Sequence, residues 1–132
     1  MGYQIERKYV AEIQRERGMI MFEIKNNFIK ITKGDSAKIN VNLCNPDGTP
    51  YTMSSGDKLK MAVRKKIGSQ TLIEVESTDN AIRLTPSITS NLIVGQCVYD
   101  IELQTAGGDV FTVVGLYDNS TYNMYVIAEV TE

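Results

Sequence analysis

The chain has 132 residues, of which 42% are hydrophobic and 23% charged, a composition typical of one globular domain with a single core. Fourteen basic against sixteen acidic residues give a net charge of −2, which argues against a nucleic-acid protein held by bulk charge. Histidine is absent, which excludes histidine-based catalytic triads and histidine metal ligands. We therefore expect a protein with no enzymatic activity, metal or cofactor.

Residues 1–20 have a different apolar spacing from the rest of the chain. Their apolar residues recur every four positions, with one more beside them: Ile5, Tyr9, Ile13 and Val10. Charged residues fill the other positions. This pattern predicts a short amphipathic assembly helix, ending near Gly18, that packs on the rest of the protein or on a neighbouring copy.

A second hypothesis concerns the same segment. Codons for Arg17-Gly18 can spell a purine-rich ribosome-binding sequence just before Met21. Natural translation would then begin at Met21, and residues 1–20 would be a translated leader. In both cases we expect the folded domain to span residues 21–132.

From Met21 onward, apolar and polar residues alternate, as in half-buried strands. We predict strands over 28–31, 37–43, 58–66, 71–77, 81–85 and 123–131, and two more within 97–113 joined by a hairpin at 106–109. Residues 86–95 are predicted to form a loop with one helical turn. About seven to eight short strands with no helix between them predict an all-β fold, an antiparallel β-sandwich of the immunoglobulin-like kind.

The two cysteines fall near the strands that carry the disulfide of antibody domains. Cys97 belongs to the inward set of its strand, whereas Cys44 follows inward Leu43 and faces outward or lies in a turn. We therefore expect two free thiols.

A row of basic residues lies on one face of the strand at 58–66. It could track an anion, but the neighbouring strands present acidic residues outward, which favours cross-strand ion pairs on a solvated face. The residues are Lys58, Lys60, Arg64 and Lys66, facing Glu74, Glu76, Asp100 and Glu102.

Carboxylates raise the question of catalysis or metal binding. Asp100 and Glu102 share a face, but an outward sheet face lacks the pocket that shifts a catalytic pKa. Asp47, Asp57 and Asp109 do not have the spacing of a calcium loop. We predict no catalytic or metal site.

The polar stretch 115–125 contains three tyrosines, which can bind sugars or proteins by presenting a large amphipathic area. The candidate partner-binding or glycan-binding residues are Tyr117, Asp118, Asn119, Tyr122 and Tyr125. The alternative is that these tyrosines only cover the edge of the sandwich.

No apolar run approaches the length of a transmembrane helix, and the N-terminus lacks the apolar core of a signal peptide. We expect a chain made in the cytoplasm, with no nucleic-acid or membrane partner.

Turn and strand-edge residues distributed over about 24–131 resemble a known family. They are Gly34-Asp35, the Asp47-Gly48-Thr49-Pro50-Tyr51 turn, Gly56-Asp57, Leu84-Thr85-Pro86, Leu92, Gly95, Tyr99-Asp100-Ile101, Gly108, Val110, Thr112 and Glu129-Val130-Thr131. The pattern resembles small immunoglobulin-like structural proteins of tailed bacteriophages and prophages, akin to the N-terminal domains of baseplate upper proteins. The chain departs from it at Ser87-Ile88-Thr89, where the family tends to have an acidic residue and threonine, and at 115–123, which looks like an insertion.

The resemblance implies a structural or assembly protein of the virion, in the tail or baseplate. It would act by contacts with other phage structural proteins or with copies of itself, and a homo-oligomer is an expectation. The alternative is a carbohydrate-binding or adhesion module that uses the tyrosine-rich loop.

Overall fold

A computed structural model of the protein describes residues 10–15, 23–116 and 120–129. Within these ranges the fold is mostly β, with ten strands in two sheets and one short helix. The strands are β1 (Val10–Arg15), β2 (Glu23–Lys25), β3 (Phe28–Thr32), β4 (Ala37–Cys44), β5 (Lys58–Arg64), β6 (Thr71–Ser77), β7 (Ala81–Leu84), β8 (Gly95–Gln104), β9 (Val110–Val114) and β10 (Met124–Ile127), and the helix is α1 (Pro86–Thr89).

The smaller sheet has the strand order β1-β4-β7, and the larger sheet has the order β2-β3-β10-β8-β5-β6, with β9 also paired to β8. The pairs are antiparallel except for β3 and β10, which run parallel. This parallel pair differs from the predicted all-antiparallel arrangement. The inward side chains of both sheets meet in one core, as expected for an all-β sandwich.

Alternation in the sequence correctly identified the central strands. In β4, Ile39 and Val41 are buried while Asn40 between them is partly exposed, and β5 buries Leu59, Met61 and Val63 in the same alternation. The single helical turn predicted within 86–95 is α1, which begins at Pro86 after the capping residue Thr85. The last strand is shorter than predicted and ends at Ile127.

The predicted N-terminal helix is wrong for the residues that the structure describes. Val10–Arg15 form β1, which pairs antiparallel with β4 and places Ile13 opposite Val41. Ile13 is 3% exposed and belongs to the core. Residues four apart share a face in a strand as well as in a helix, so the spacing of Tyr9 and Ile13 fits both.

The predicted domain boundary at residue 20 is corrected by the same strand, because β1 lies inside the sandwich. Ile5 and Tyr9 of the predicted assembly helix, and its expected end at Gly18, lie outside the described residues. Within the described ranges, no helix is long and apolar enough to cross a membrane.

Candidate binding surface

The tyrosine-rich stretch leaves the larger sheet after Val114 and rejoins it at Met124. The central strand β8 pairs with β10 through residues 95–97 and with β9 through residues 101–104, so Tyr99 lies between its two partner strands. The side chain of Asn123 occupies this gap. Its Oδ1 accepts a hydrogen bond from the Tyr99 backbone N–H at 2.8 Å, and its Nδ2 donates to the Tyr99 carbonyl at 2.9 Å. Asn123 thus replaces a missing strand residue and fixes the end of the loop.

The tight turn between β2 and β3 lies on the side of β10 away from β8, and side-chain hydrogen bonds hold it in place. Asn26 and Asn27 have φ values of 52° and 64°, a conformation that asparagine tolerates better than most residues and that suits a two-residue hairpin. The Asn27 side chain accepts from the N–H of Ile13 at 2.9 Å and donates to the carbonyl of Ala11 at 3.2 Å. The Tyr99 hydroxyl donates to the Asn27 carbonyl. These bonds hold the turn against both β1 and β8.

Two tyrosines stand on the outer side of the larger sheet. Tyr125 of β10 is 39% exposed, and the parallel register places it beside Lys30 of β3. Tyr122 packs edge-to-face on Phe28, with ring centroids 5.5 Å apart and an interplanar angle of 79°. Phe28 therefore packs against the ring of Tyr122, while the side chain of Tyr125 is exposed to solvent.

These tyrosines line two open hollows. One hollow, of about 620 Å³, is also lined by Lys25, Asn26, Phe28 and Lys30. The other, of about 580 Å³, is also lined by Lys65, Lys66, Gly95, Gln96 and Thr121. We call the two tyrosines and four lysines the tyrosine–lysine surface: Tyr122, Tyr125, Lys25, Lys30, Lys65 and Lys66.

The charge of this surface differs from that of the adjacent strands. The cross-strand ion pairs predicted for β5 and β6 are present, with Lys58 3.5 Å from Glu76 and Lys60 3.3 Å from Glu74. Among the residues whose side chains the structure describes, which do not include Glu23, no carboxylate lines either hollow. Lys65 donates to the carbonyl of Val94 at 3.2 Å. The surface is therefore cationic, whereas the lysines of β5 are neutralised.

An apolar group lies next to the tyrosine–lysine surface. Val126 pairs with Gly95 at the end of the β8–β10 register, and the next residue on each segment, Val94 and Ile127, is 43% and 37% exposed. Ile93, the preceding residue, is 44% exposed. We call Ile93, Val94 and Ile127 the apolar end.

Asp100 is less exposed than the sequence suggests. It lies half-buried in a hollow of about 270 Å³ between β8 and the loops that contain Ile67 and Leu116. Burial raises the pKa of Asp100, the charge of Glu102 raises it further, and Arg64 and Lys60 oppose the shift. Alternation alone gave no sign of the loop residues that cover this carboxylate.

Asp57 has a structural role that the sequence did not reveal. It is 4% exposed and accepts hydrogen bonds from the Tyr51 hydroxyl at 2.5 Å, the Ser54 N–H at 2.9 Å and the Ala106 N–H at 3.0 Å. These bonds lower the pKa of Asp57, and the hydrogen bond from Tyr51 contributes most to this shift. The described residues contain no group of three or more acidic or cysteine side chains placed to hold a metal ion.

Both cysteines are free thiols. Cys97 is buried, as its position in the inward set predicts, and burial raises its pKa. Its Sγ donates to the carbonyl of Ile93 at 3.4 Å. Cys44 is half-buried at the end of β4.

Two of the five loop residues nominated from sequence, Tyr122 and Tyr125, lie on the tyrosine–lysine surface. Tyr117, Asp118 and Asn119 lie outside the described residues. The lysines of this surface were not predicted from sequence as part of a site. Lys66 was named only in the basic row of the predicted strand 58–66. Lys25 and Lys30 lie on either side of the Asn26-Asn27 turn, and this position next to a turn was the sequence feature that could have indicated them. Comparison with family models, curated proteins and solved structures found no match to this chain.

Proposed function

We propose that this chain is a non-enzymatic structural or assembly protein of a tailed phage or prophage virion, in the tail or baseplate, that acts through protein–protein contacts. The resemblance of its turn residues to that family is the basis for the phage assignment. The strand order supports an immunoglobulin-like topology. In that topology β1, β4 and β7 correspond to strands A, B and E, and β10, β8 and β5 to strands G, F and C.

The observation that supports protein contacts best is the apolar end. Val94 and Ile127 each follow the last paired residues of β8 and β10, Gly95 and Val126, at one end of the larger sheet, and both are more than one-third exposed. Neighbouring exposed aliphatic side chains are typical of protein interaction sites, whereas scattered ones are ordinary. The partner in this proposal is another structural protein of the particle or a second copy of this chain.

Mass spectrometry of phage particles, purified from the organism that encodes the chain, tests the proposal. We expect the chain at a fixed copy number. The double variant Val94→Glu/Ile127→Glu should be lost from the particles, because a charge cannot be buried in an apolar contact. Val110→Glu is the matched control, since Val110 is 55% exposed on β9. Particles of the unaltered phage that form normally and lack the chain would contradict the proposal.

A further inference from the structure

We propose that the tyrosine–lysine surface binds an acidic polysaccharide, a chain of sugar rings that carries carboxylate or phosphate groups. This site is distinct from the apolar end and adds a ligand to a protein whose proposed role is assembly. The site includes part of the tyrosine-rich stretch 115–125, which the protein contacts proposed at the apolar end do not involve.

The charge of the surface selects an anion. Each hollow has two lysines, Lys25 and Lys30 in one, Lys65 and Lys66 in the other. Lys25 and Lys66 are exposed, and neither has an ion pair with a carboxylate whose side chain the structure describes; Lys30 is exposed as well. Glu23 occupies the register position opposite Lys30. The protein as a whole is acidic, so this local excess of positive charge contrasts with its surroundings.

The neutral groups of the surface favour anions that contain sugar rings over other anions. Tyr125 presents an exposed ring between the two hollows, and an aromatic ring offers a flat apolar platform with a polar edge. Asn26, Gln96 and Thr121 line the hollows and are exposed. Their amide and hydroxyl groups both donate and accept hydrogen bonds, as sugar hydroxyls do.

The number of aromatic platforms in the part of the chain that the structure describes argues against single-stranded nucleic acid, the other polymer that combines rings with negative charge. Such binding stacks successive bases on several exposed aromatic side chains along a basic groove. Among the described aromatic residues, only Tyr125 is exposed, and Tyr122 is half-buried against Phe28. One platform with two lysines on each side fits a polymer in which charged groups are interspersed with neutral rings.

Titration calorimetry of the full chain with defined polymers tests the proposal. The probes are polygalacturonate for carboxylate, phosphorylated dextran for phosphate, unmodified dextran as the neutral match, and oligo(dT) as the nucleic acid. We expect binding to at least one acidic polysaccharide, weakening as salt is raised, and no measurable binding to unmodified dextran. Comparison of the two acidic probes identifies which anionic group is preferred.

Matched variants locate the site. Lys25→Gln/Lys66→Gln removes one lysine from each hollow and should weaken binding about tenfold, which corresponds to about 1.4 kcal/mol, or about 0.7 kcal/mol for each exposed charge contact. Lys58→Gln/Lys60→Gln removes the same charge from the same sheet, where Glu76 and Glu74 already neutralise it, and should leave binding unchanged. Tyr125→Ala should abolish most of the binding, and Tyr125→Phe should retain it.

Several results would overturn the inference: no binding to either acidic polysaccharide, equal binding to unmodified dextran, tighter binding to oligo(dT), or equal losses in the two lysine pairs. Thermal unfolding of each variant separates lost binding from lost folding, because these side chains lie outside the core. A neutral version of the Val94→Glu/Ile127→Glu variant, Val94→Gln/Ile127→Gln, removes the apolar contact without adding negative charge beside the lysines and should still bind the polysaccharide. Failure of the glycan site and failure of the assembly proposal are therefore separate outcomes.

Discussion

Two glycines with nearly the same positive φ have different surroundings. A Cβ atom added at Gly48 (φ +92°) would have no atom within 4 Å, whereas a Cβ added at Gly56 (φ +93°) would lie 2.8 Å from the Cβ of Ala106. We predict that Gly48→Ala lowers the free energy of unfolding by about 1 kcal/mol, from backbone strain alone. Gly56→Ala should cost about 2 kcal/mol more, because the hairpin must also move. Urea denaturation of both variants measures the difference, and equal losses would contradict the steric explanation.

Asp57 and Asp100 should affect stability in opposite directions at neutral pH. The folded-state pKa of Asp57 lies below the ordinary value of 3.8, and that of Asp100 lies above it. Ionised Asp57 therefore stabilises the fold above its unfolded pKa, and ionised Asp100 destabilises it above its folded pKa. At about pH 7, we predict that Asp57→Asn lowers the melting temperature and Asp100→Asn raises it.

The pH dependence of these two variants gives the control. As the pH falls, the stability due to Asp57 is lost once the pH passes below the unfolded pKa and through the folded pKa. The penalty due to Asp100 disappears over the interval from its raised folded pKa down to its unfolded pKa. Both differences from the parent protein should therefore shrink between about pH 7 and about pH 3. A difference that stays constant over this range would show that the substitution acts by shape and not by charge.

At the scale of elements, Asn123 replaces part of a strand. Its side-chain amide pairs with both backbone groups of Tyr99 where neither β9 nor β10 reaches them. Asn123→Ala leaves a buried N–H and a buried carbonyl without these partners, which should lower the free energy of unfolding by about 3 kcal/mol. The control Asn91→Ala removes one exposed bond to the Ser87 carbonyl and should cost less than about 1 kcal/mol. Chemical denaturation measures both, and a small loss at Asn123 would mean that water replaces the amide.

Strands could be predicted from sequence where the signal is local. In β4 and β5 the alternation of buried and partly exposed residues lies within one short window, so both strands and their inward faces were predicted correctly. For β1 the local pattern fits a helix and a strand equally, and only pairing with β4, some thirty residues away, decides between them. The three-residue strand β2 has too few residues to show a period.

The candidate site was predictable only in part for the same reason. Tyr122 and Tyr125 could be nominated because they cluster in the sequence. Their lysine neighbours come from β2, β3 and the residues after β5, and they meet only because β10 lies between β3 and β8. The parallel pairing of β10 with β3 joins segments almost a hundred residues apart. No local pattern contains that information.

At the scale of the whole molecule, β1 decides whether residues 1–20 are dispensable for folding. Ala11 and Ile13 belong to the core, and β1 covers one edge of β4 along six paired positions. The Asn27 side chain bonds the opposite edge of β1. A chain that begins at Met21 would lack these contacts and expose the edge of β4, and an uncovered strand edge promotes aggregation.

We therefore predict that a chain beginning at Met21 loses cooperative unfolding or aggregates, as judged by circular dichroism and light scattering beside the 132-residue chain. Two point variants in β1 provide the matched comparison. Ile13→Ala, at a site 3% exposed, should lower the free energy of unfolding by about 3 kcal/mol, and the exposed neighbour Gln14→Ala should change it by less than about 0.5 kcal/mol. A shortened chain as stable as the full one, with a neutral Ile13→Ala, would show that residues 1–20 contribute nothing to the fold and would support the translated-leader hypothesis.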